Sequence, residues 1–271
     1  MPYEEAIMNQ SRAIIEQRHQ DLLAMIRRNR RITVSEASEL LNVSPLTIRR
    51  DFSFLEQQHL IVRFHGGAYL NESYSDTAMV IDERKDLNKD LKDLIGTYAV
   101  SMIPDHSTIF MNAGTTTLTF FRLLSESGKH VRVITNNALA PSVVWNDSIE
   151  LLLTGGECSP RSKALVGSYA ADTIEQTWAD HCVLGATGIS AIGTTTSSYI
   201  ETQVNELMAD RCNGPVTVIA DGSKVGKVYT FSSLPLNRIH TLITDSTADE
   251  EVLGVIRDSG VQVIVLQGES E

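Results

Sequence analysis

Seven short apolar runs recur through the last two thirds of the chain: Thr108 to Met111, Val131 to Ile134, Ile149 to Leu153, Cys182 to Leu184, Val216 to Ala220, Thr241 to Ile243 and Val261 to Val265. Helical stretches separate them. Strands alternating with helices predict an α/β fold, a doubly wound and mostly parallel sheet covered on both faces. Ahead of the first run, Leu91, Leu94, Ile95, Tyr98, Ala99, Met102 and Ile103 recur at helical spacing until Pro104 ends the helix.

In open sheets of this kind ligands sit beyond the carboxyl ends of the strands. Those positions read NAGTTT (112 to 117), TNN (135 to 137), TGGE (154 to 157), GATG (185 to 188) and DGSK (221 to 224), which places all five along one edge. Gly114 lets backbone approach a ligand closely. Thr115, Thr116 and Thr117 bring hydroxyls to a helix N-terminus, whose free N–H groups favour an anion such as phosphate. Gly155 and Gly156 give a second close approach, Asn136 can donate and accept, and Lys224 adds a positive charge. Asn112 and Thr135 stand in the same stretches. Taken singly, each loop reads as an ordinary strand-to-helix turn; five polar strand ends on one edge favour a binding site. The fingerprints of dinucleotide and nucleoside triphosphate binding, G-x-G-x-x-G and G-x-x-x-x-G-K-[ST], are absent, so a small phosphorylated ligand fits better.

The first seventy residues have a different character. Ile14, Ile15, Leu22, Leu23 and Ile26 mark a first helix, with Arg27, Arg28, Arg30 and Arg31 at its close. Ile32 and Val34 look strand-like. Ser35 then reads as the N-cap of a second helix through Ala37, Leu40 and Leu41, and after the turn at Asn42 and Val43 Ser44 caps a third helix with Pro45 first. Two short helices joined by a tight turn have helix-turn-helix spacing, whose second helix enters the DNA major groove. On the third helix Ile48, Phe52 and Leu55 share the core face, which leaves Leu46, Thr47, Arg49, Arg50 and Ser53 outward, where arginine can grip guanine or phosphate. The plainer alternative is a solvated helix with its arginines paired to Asp51 and Glu56. Residues 60 to 70, LIVRFHGGAYL, form a strand, a Gly-Gly turn and a second strand, a hairpin that makes a wing with Arg63 and His65 near its tip.

Charge supports the division. Residues 1 to 70 carry nine Arg, no Lys and eight acidic residues, a net +1 against -12 for the remainder. Cys158, Cys182 and Cys212 are odd in number, widely spaced and without a Cys-x-x-Cys, which fits reduced thiols and no metal site. The seven histidines show no metal-ligand spacing, and no apolar run is long enough to span a bilayer. With an acidic start in place of a signal peptide, a cytoplasmic protein without a membrane partner is expected.

The run SPLTIRRDF, preceded by RITVSEASELLNVS and followed by RFHGGAYL, resembles the DeoR family of bacterial transcriptional regulators. The likeness extends through Ala113 to Thr116, Thr135, Asn136, Gly155, Gly156, Ser223 and Lys224. Departures are Phe52 for Leu, Asn112 for Asp, Asn137 for Ser, Gly222 for Ser, and His106 where Gly-Asp is usual. The resemblance implies a winged helix-turn-helix over 12–70, a linker over 71–87 and an effector-sensing domain over 88–271, similar in fold to ribose phosphate isomerase. It implies a regulator, expected to be a repressor of a carbohydrate operon, with double-stranded operator DNA and a phosphorylated sugar as partners, as a homo-oligomer without cofactor. The candidate DNA contacts are Ser35, Ser44, Leu46, Thr47, Arg49, Arg50, Ser53, Arg63 and His65. A rival is a sugar-phosphate isomerase or deaminase with Glu157, Glu201, Asp221 or Asp245 as base; a third possibility is a protein-interaction module.

Overall fold

The computed structural model describes residues 15, 17–19, 21–23, 25–26, 31–57, 61–64, 66–70, 81–143 and 146–268. They fall in two compact units, Met1–Ala78 and Met79–Glu271. That division lies inside the stretch expected to be linker.

In the first unit the described residues between 15 and 26 are helical (α1) and place Leu22 and Ile26 in the core. Arg31 does not close this helix as expected; it opens strand β1 (Arg31–Thr33). Arg27, Arg28 and Arg30 lie outside the described residues. Helix α2 (Val34–Leu41) also begins earlier than expected, because Thr33 and not Ser35 is its N-cap. The Thr33 hydroxyl accepts from Glu36 N–H at 3.2 Å while Glu36 Oε2 accepts from Thr33 N–H at 2.8 Å. This reciprocal pair satisfies two orphan donors, and a Ser35 cap would satisfy neither in that way. Thr33→Ala should lower the opening free energy of α2 by about 1 kcal/mol, read from native-state amide exchange in that helix.

Asn42, in the left-handed conformation at φ 51°, ends α2. Helix α3 (Pro45–Gln57) starts after Ser44, whose Oγ accepts from Thr47 N–H at 3.1 Å. Ile48, Phe52 and Leu55 are fully buried, as their spacing predicts. Strands β2 (Ile61–Phe64) and β3 (Gly67–Leu70) form the hairpin, and β1 pairs with β3, giving a three-stranded sheet in the order β1-β3-β2. The two wing glycines serve different ends. Gly66 has φ +96° in the turn, whereas Gly67 already pairs with Phe64 and lies so close to β1 that a Cβ would sit 2.5 Å from the Ile32 carbonyl oxygen.

The second unit opens with α4 (Ile81–Asp86), which turns part of the expected linker into helix, and α5 (Lys89–Ser101). Then follow β4 (Thr108–Met111), α6 (Thr115–Glu126), β5 (Val131–Thr135) and β6 (Ile149–Leu153). A short hairpin, β7 (Glu157–Cys158) with β8 (Leu165–Val166), leads into α7 (Ser168–Glu175) and β9 (His181–Gly185). Strands β10 (Gly188–Ser190) and β11 (Gly193–Thr196) precede α8 (Tyr199–Asp210) and β12 (Val216–Ile219). The chain ends with β13 (Phe231–Ser232), β14 (Thr241–Asp245), α9 (Glu250–Asp258) and β15 (Gln262–Leu266).

All seven expected strands join one sheet in the order β15-β14-β12-β9-β4-β5-β6, and every neighbouring pair is parallel. Its two faces alternate residue by residue. Phe110, Cys182, Leu184, Val218 and Leu242 pack with α7, α8 and α9 on one side; Ile109, Met111, Val183, Ile219 and Ile243 pack with α5 and α6 on the other. A strand buried on both faces needs apolar residues at nearly every position, which is why the runs lack a polar alternation. The remaining strands make a small antiparallel sheet, β10-β11-β13, that the sequence did not predict.

Candidate functional sites

On α3 the outward set is presented as its spacing requires. Leu46 is 57% exposed, and Arg49 and Arg50 are exposed with no ion pair among the described residues. Ser44 and Thr47 share a hydroxyl contact of 2.9 Å at the helix start. The plainer pairing of these arginines with Asp51 and Glu56 is absent. Asp51 is buried and bound by Arg18 and His19, while Glu56 lies 3.6 Å from Arg63. Ser53 is half-buried: its Oγ donates to the Arg49 carbonyl and accepts from Arg63 at 2.7 Å, which ties the wing to the helix. Ser35 is exposed in the first turn of α2. His65 lies outside the described residues.

The sheet reverses direction between β4 and β9. From β4 the chain adds β5 and β6 on one side, then returns to add β9 and its successors on the other. Open α/β sheets bind ligands at such a switch point, beyond the carboxyl ends of the strands. Asn112 stands immediately after β4, where its Oδ1 accepts from Gly185 N–H at 2.8 Å and its Nδ2 donates to Gly185 O and Asn205 Oδ1, both at 3.0 Å. A primary amide supplies both functions to the backbone across the gap. Asn136 does the same beyond β5, with Oδ1 accepting from Ala113 N–H at 2.8 Å and Nδ2 donating to Leu165 O at 3.0 Å.

The expected ligand residues therefore divide into those bonded within the fold and those left at the strand ends. Asn112, Asn136, Thr117 and Thr135 are buried with their polar atoms used internally: Thr117 Oγ1 donates to Asn112 O and Gly114 O, and Thr135 Oγ1 accepts from Asn137 N–H. Gly114, Thr115, Thr116, Gly155, Gly156 and Lys224 remain at the carboxyl edge. Gly155 and Gly156 take φ of +73° and +107°, and a Cβ on Gly156 would lie 2.4 Å from Val166 O, so β-carbon-free backbone lets the β6 loop meet the start of α7.

Four helices begin at this edge without a side-chain cap: α5 after Asn88, α6 after Gly114, α7 after Gly167 and α8 after Ser198. In α6 the first intrahelical bond is Leu118 N–H to Gly114 O, which leaves the N–H groups of Thr115, Thr116 and Thr117 without an intrahelical acceptor. Uncapped N-termini favour a negatively charged group. Three of the four carboxylates weighed as bases are otherwise employed, while Glu157 is exposed at the start of β7. Asp245 is fully buried and accepts from Gly222 N–H at 2.7 Å and from Thr247 N–H at 2.9 Å, while Asp221 is buried and accepts from Asn88 and Ser223. Glu201 accepts from Ser162 Oγ at 2.7 Å. Asn205, Ser162 and Asn88 escaped the sequence reading, since a pairing across tens of residues leaves no local signal. All three cysteines are free thiols, and burial pushes the Cys182 thiol well above its ordinary range. No helix among the described residues is long and apolar enough to cross a membrane.

A winged helix-turn-helix with outward arginines, carried on an α/β unit with an anion-favouring edge, defines a ligand-responsive DNA-binding regulator. Residues 18–74 match the DeoR-like helix-turn-helix domain and residues 87–246 the DeoR C terminal sensor domain. The chain belongs to the DeoR family of transcriptional regulators and is not an enzyme. The Glycerol-3-phosphate regulon repressor of Escherichia coli (strain K12) is 30% identical over 91% of this chain and 97% of its own. The HTH-type transcriptional regulator GolR of Listeria innocua serovar 6a is 30% identical over 93% of this chain and 98% of its own. The HTH-type transcriptional repressor GlcR of Bacillus subtilis (strain 168) is 30% identical over 93% and 96%. Among solved structures, ribose 5-phosphate isomerase A of Methanocaldococcus jannaschii overlaps 51% of this chain and 55% of its own at 20% identity, with a TM-score of 0.36.

Proposed function

We propose that the protein represses a carbohydrate-use operon as a homo-oligomer and that a phosphorylated sugar, bound at the carboxyl edge of the seven-stranded sheet, changes its affinity for operator DNA. The observation that carries the ligand class is the meeting of uncapped helix starts with Gly114, Gly155 and Gly156 beside the switch point. Phosphate suits that edge because backbone N–H groups supply charge-complementary donors without a desolvated cation. A relative named for the glycerol-3-phosphate regulon supports a small phosphate ester. Linkage is the mechanism: a ligand that prefers one arrangement of the protein shifts the population toward or away from the DNA-competent state. Paired half-sites read by two helices account for the oligomer.

Thermal shift against a panel of sugar phosphates tests the ligand class. A hit should raise the melting temperature in proportion to the logarithm of ligand concentration. Lys224→Ala should weaken that hit by roughly tenfold, about the value of one charge-assisted contact. A panel without any response in the parent protein would refute the proposed ligand class.

A further inference from the structure

Helices α1 and α3 meet through Leu22, Ile26, Ile48, Phe52 and Leu55. Such contacts are non-directional: they select the buried face of α3 but leave its fine rotation about the axis loosely defined. A polar group is set among them. Asp51 is 4% exposed, and its Oδ2 accepts from Arg18 Nε at 2.7 Å while its Oδ1 accepts from Arg18 Nη2 and His19 Nε2, both at 2.9 Å. His19 is itself stacked on Phe54 of α3, with ring centroids 4.8 Å apart. Burial pushes the Asp51 carboxyl upward, but hydrogen bonds from Arg18 and His19 outweigh it and hold the group below the usual carboxylate range. The pair is charged at neutral pH.

A forked guanidinium–carboxylate contact is planar and directional. Asp51 directly follows Arg49 and Arg50, so a rotation of α3 by a fraction of its roughly 100° residue step, too small to expose Ile48, Phe52 and Leu55, would strain both prongs as it swung the arginines from their aim. Buried ion pairs contribute little net stability compared with apolar residues of similar volume. Orientation is what this one can supply. We propose that Arg18 and Asp51 are positioning residues for DNA binding, a clamp that fixes the rotation of α3 and thereby aims Arg49 and Arg50, without either clamp residue touching the duplex. This rests on α3 being the DNA-contacting helix.

The test uses the full-length protein and a duplex that the parent selects from a random pool. Arg18→Met combined with Asp51→Leu replaces the clamp by apolar groups. The double variant should melt as the parent does and bind the selected duplex roughly tenfold more weakly, with little change on an unrelated duplex. Arg18→Lys keeps the charge but loses the fork, and should fall between the two; it decides the matter if the double variant melts early. Affinity equal to the parent in either folded variant overturns the clamp. Arg50→Ala, measured alongside, separates the two ideas: weakened binding there with none in the clamp variants leaves α3 as the DNA helix and removes only its clamp.

Discussion

A chain carrying both Arg49→Ala and Arg50→Ala is expected to bind its selected duplex roughly a hundredfold more weakly than the parent at equal salt, the sum of two arginine contacts at about 1–3 kcal/mol each. Its far-UV circular dichroism melt should be unchanged, because both side chains are exposed and unpaired among the described residues, and surface substitutions of that kind seldom cost stability. The pattern of loss identifies the contact. Phosphate contacts would weaken all sequences alike and reduce the slope of log affinity against log salt by about one for each arginine. Base contacts would spare binding to unrelated duplexes. Parent-level affinity in the double variant would show that α3 does not face DNA.

Asn136→Ala is expected to be the most damaging change at the sheet edge. It removes the acceptor of the part-buried Ala113 N–H and a donor to Leu165 O, each left unsatisfied at about 1–3 kcal/mol. A loss of about 2–4 kcal/mol on that basis should appear in urea unfolding followed by tryptophan fluorescence. Both tryptophans, Trp145 and Trp178, belong to the second unit, so the signal reports that unit alone. The loop carrying Gly114 and the strand leading into α7 lose their common anchor, so the thermal response to a sugar phosphate should vanish as well. Retained stability would return Asn136 from the fold to the ligand.

How far the sequence disclosed this molecule depends on the range of the interaction. The parallel sheet was legible because burial on both faces demands uninterrupted apolar runs, and all seven strands stand where those runs do. Helix α3 was legible from the stripe of Ile48, Phe52 and Leu55. Asp51 lies on that same stripe, three residues after Ile48 and four before Leu55, and a carboxylate at a core position requires a buried partner. Only the plainer alternative gives Asp51 a role, as a surface partner for its neighbouring arginines. The signal was present, but the identity of the partner, thirty-three residues away, was not. Thr33 is both the last residue of β1 and the N-cap of α2, so the capping box spans the boundary between two elements and Ser35 looks like the cap in its place. At the carboxyl edge the sequence grouped residues without separating those whose polar atoms are bonded within the fold from those that are not, since asparagine and threonine serve both ends with the same atoms.

The reversal of strand order has a further consequence, for the order of synthesis. Strands β4, β5 and β6 pair only among themselves until β9 exists, and β9, β12, β14 and β15 are drawn from the later part of the chain. Each half assembles from sequence neighbours at small entropic cost, whereas the ladder between halves must close a loop of about seventy residues. A ribosome-bound chain that has reached residue 180 can therefore hold a three-stranded half whose inner margin, along Ile109 to Met111, is bare apolar backbone. That margin is the place where a nascent-chain chaperone would be most useful.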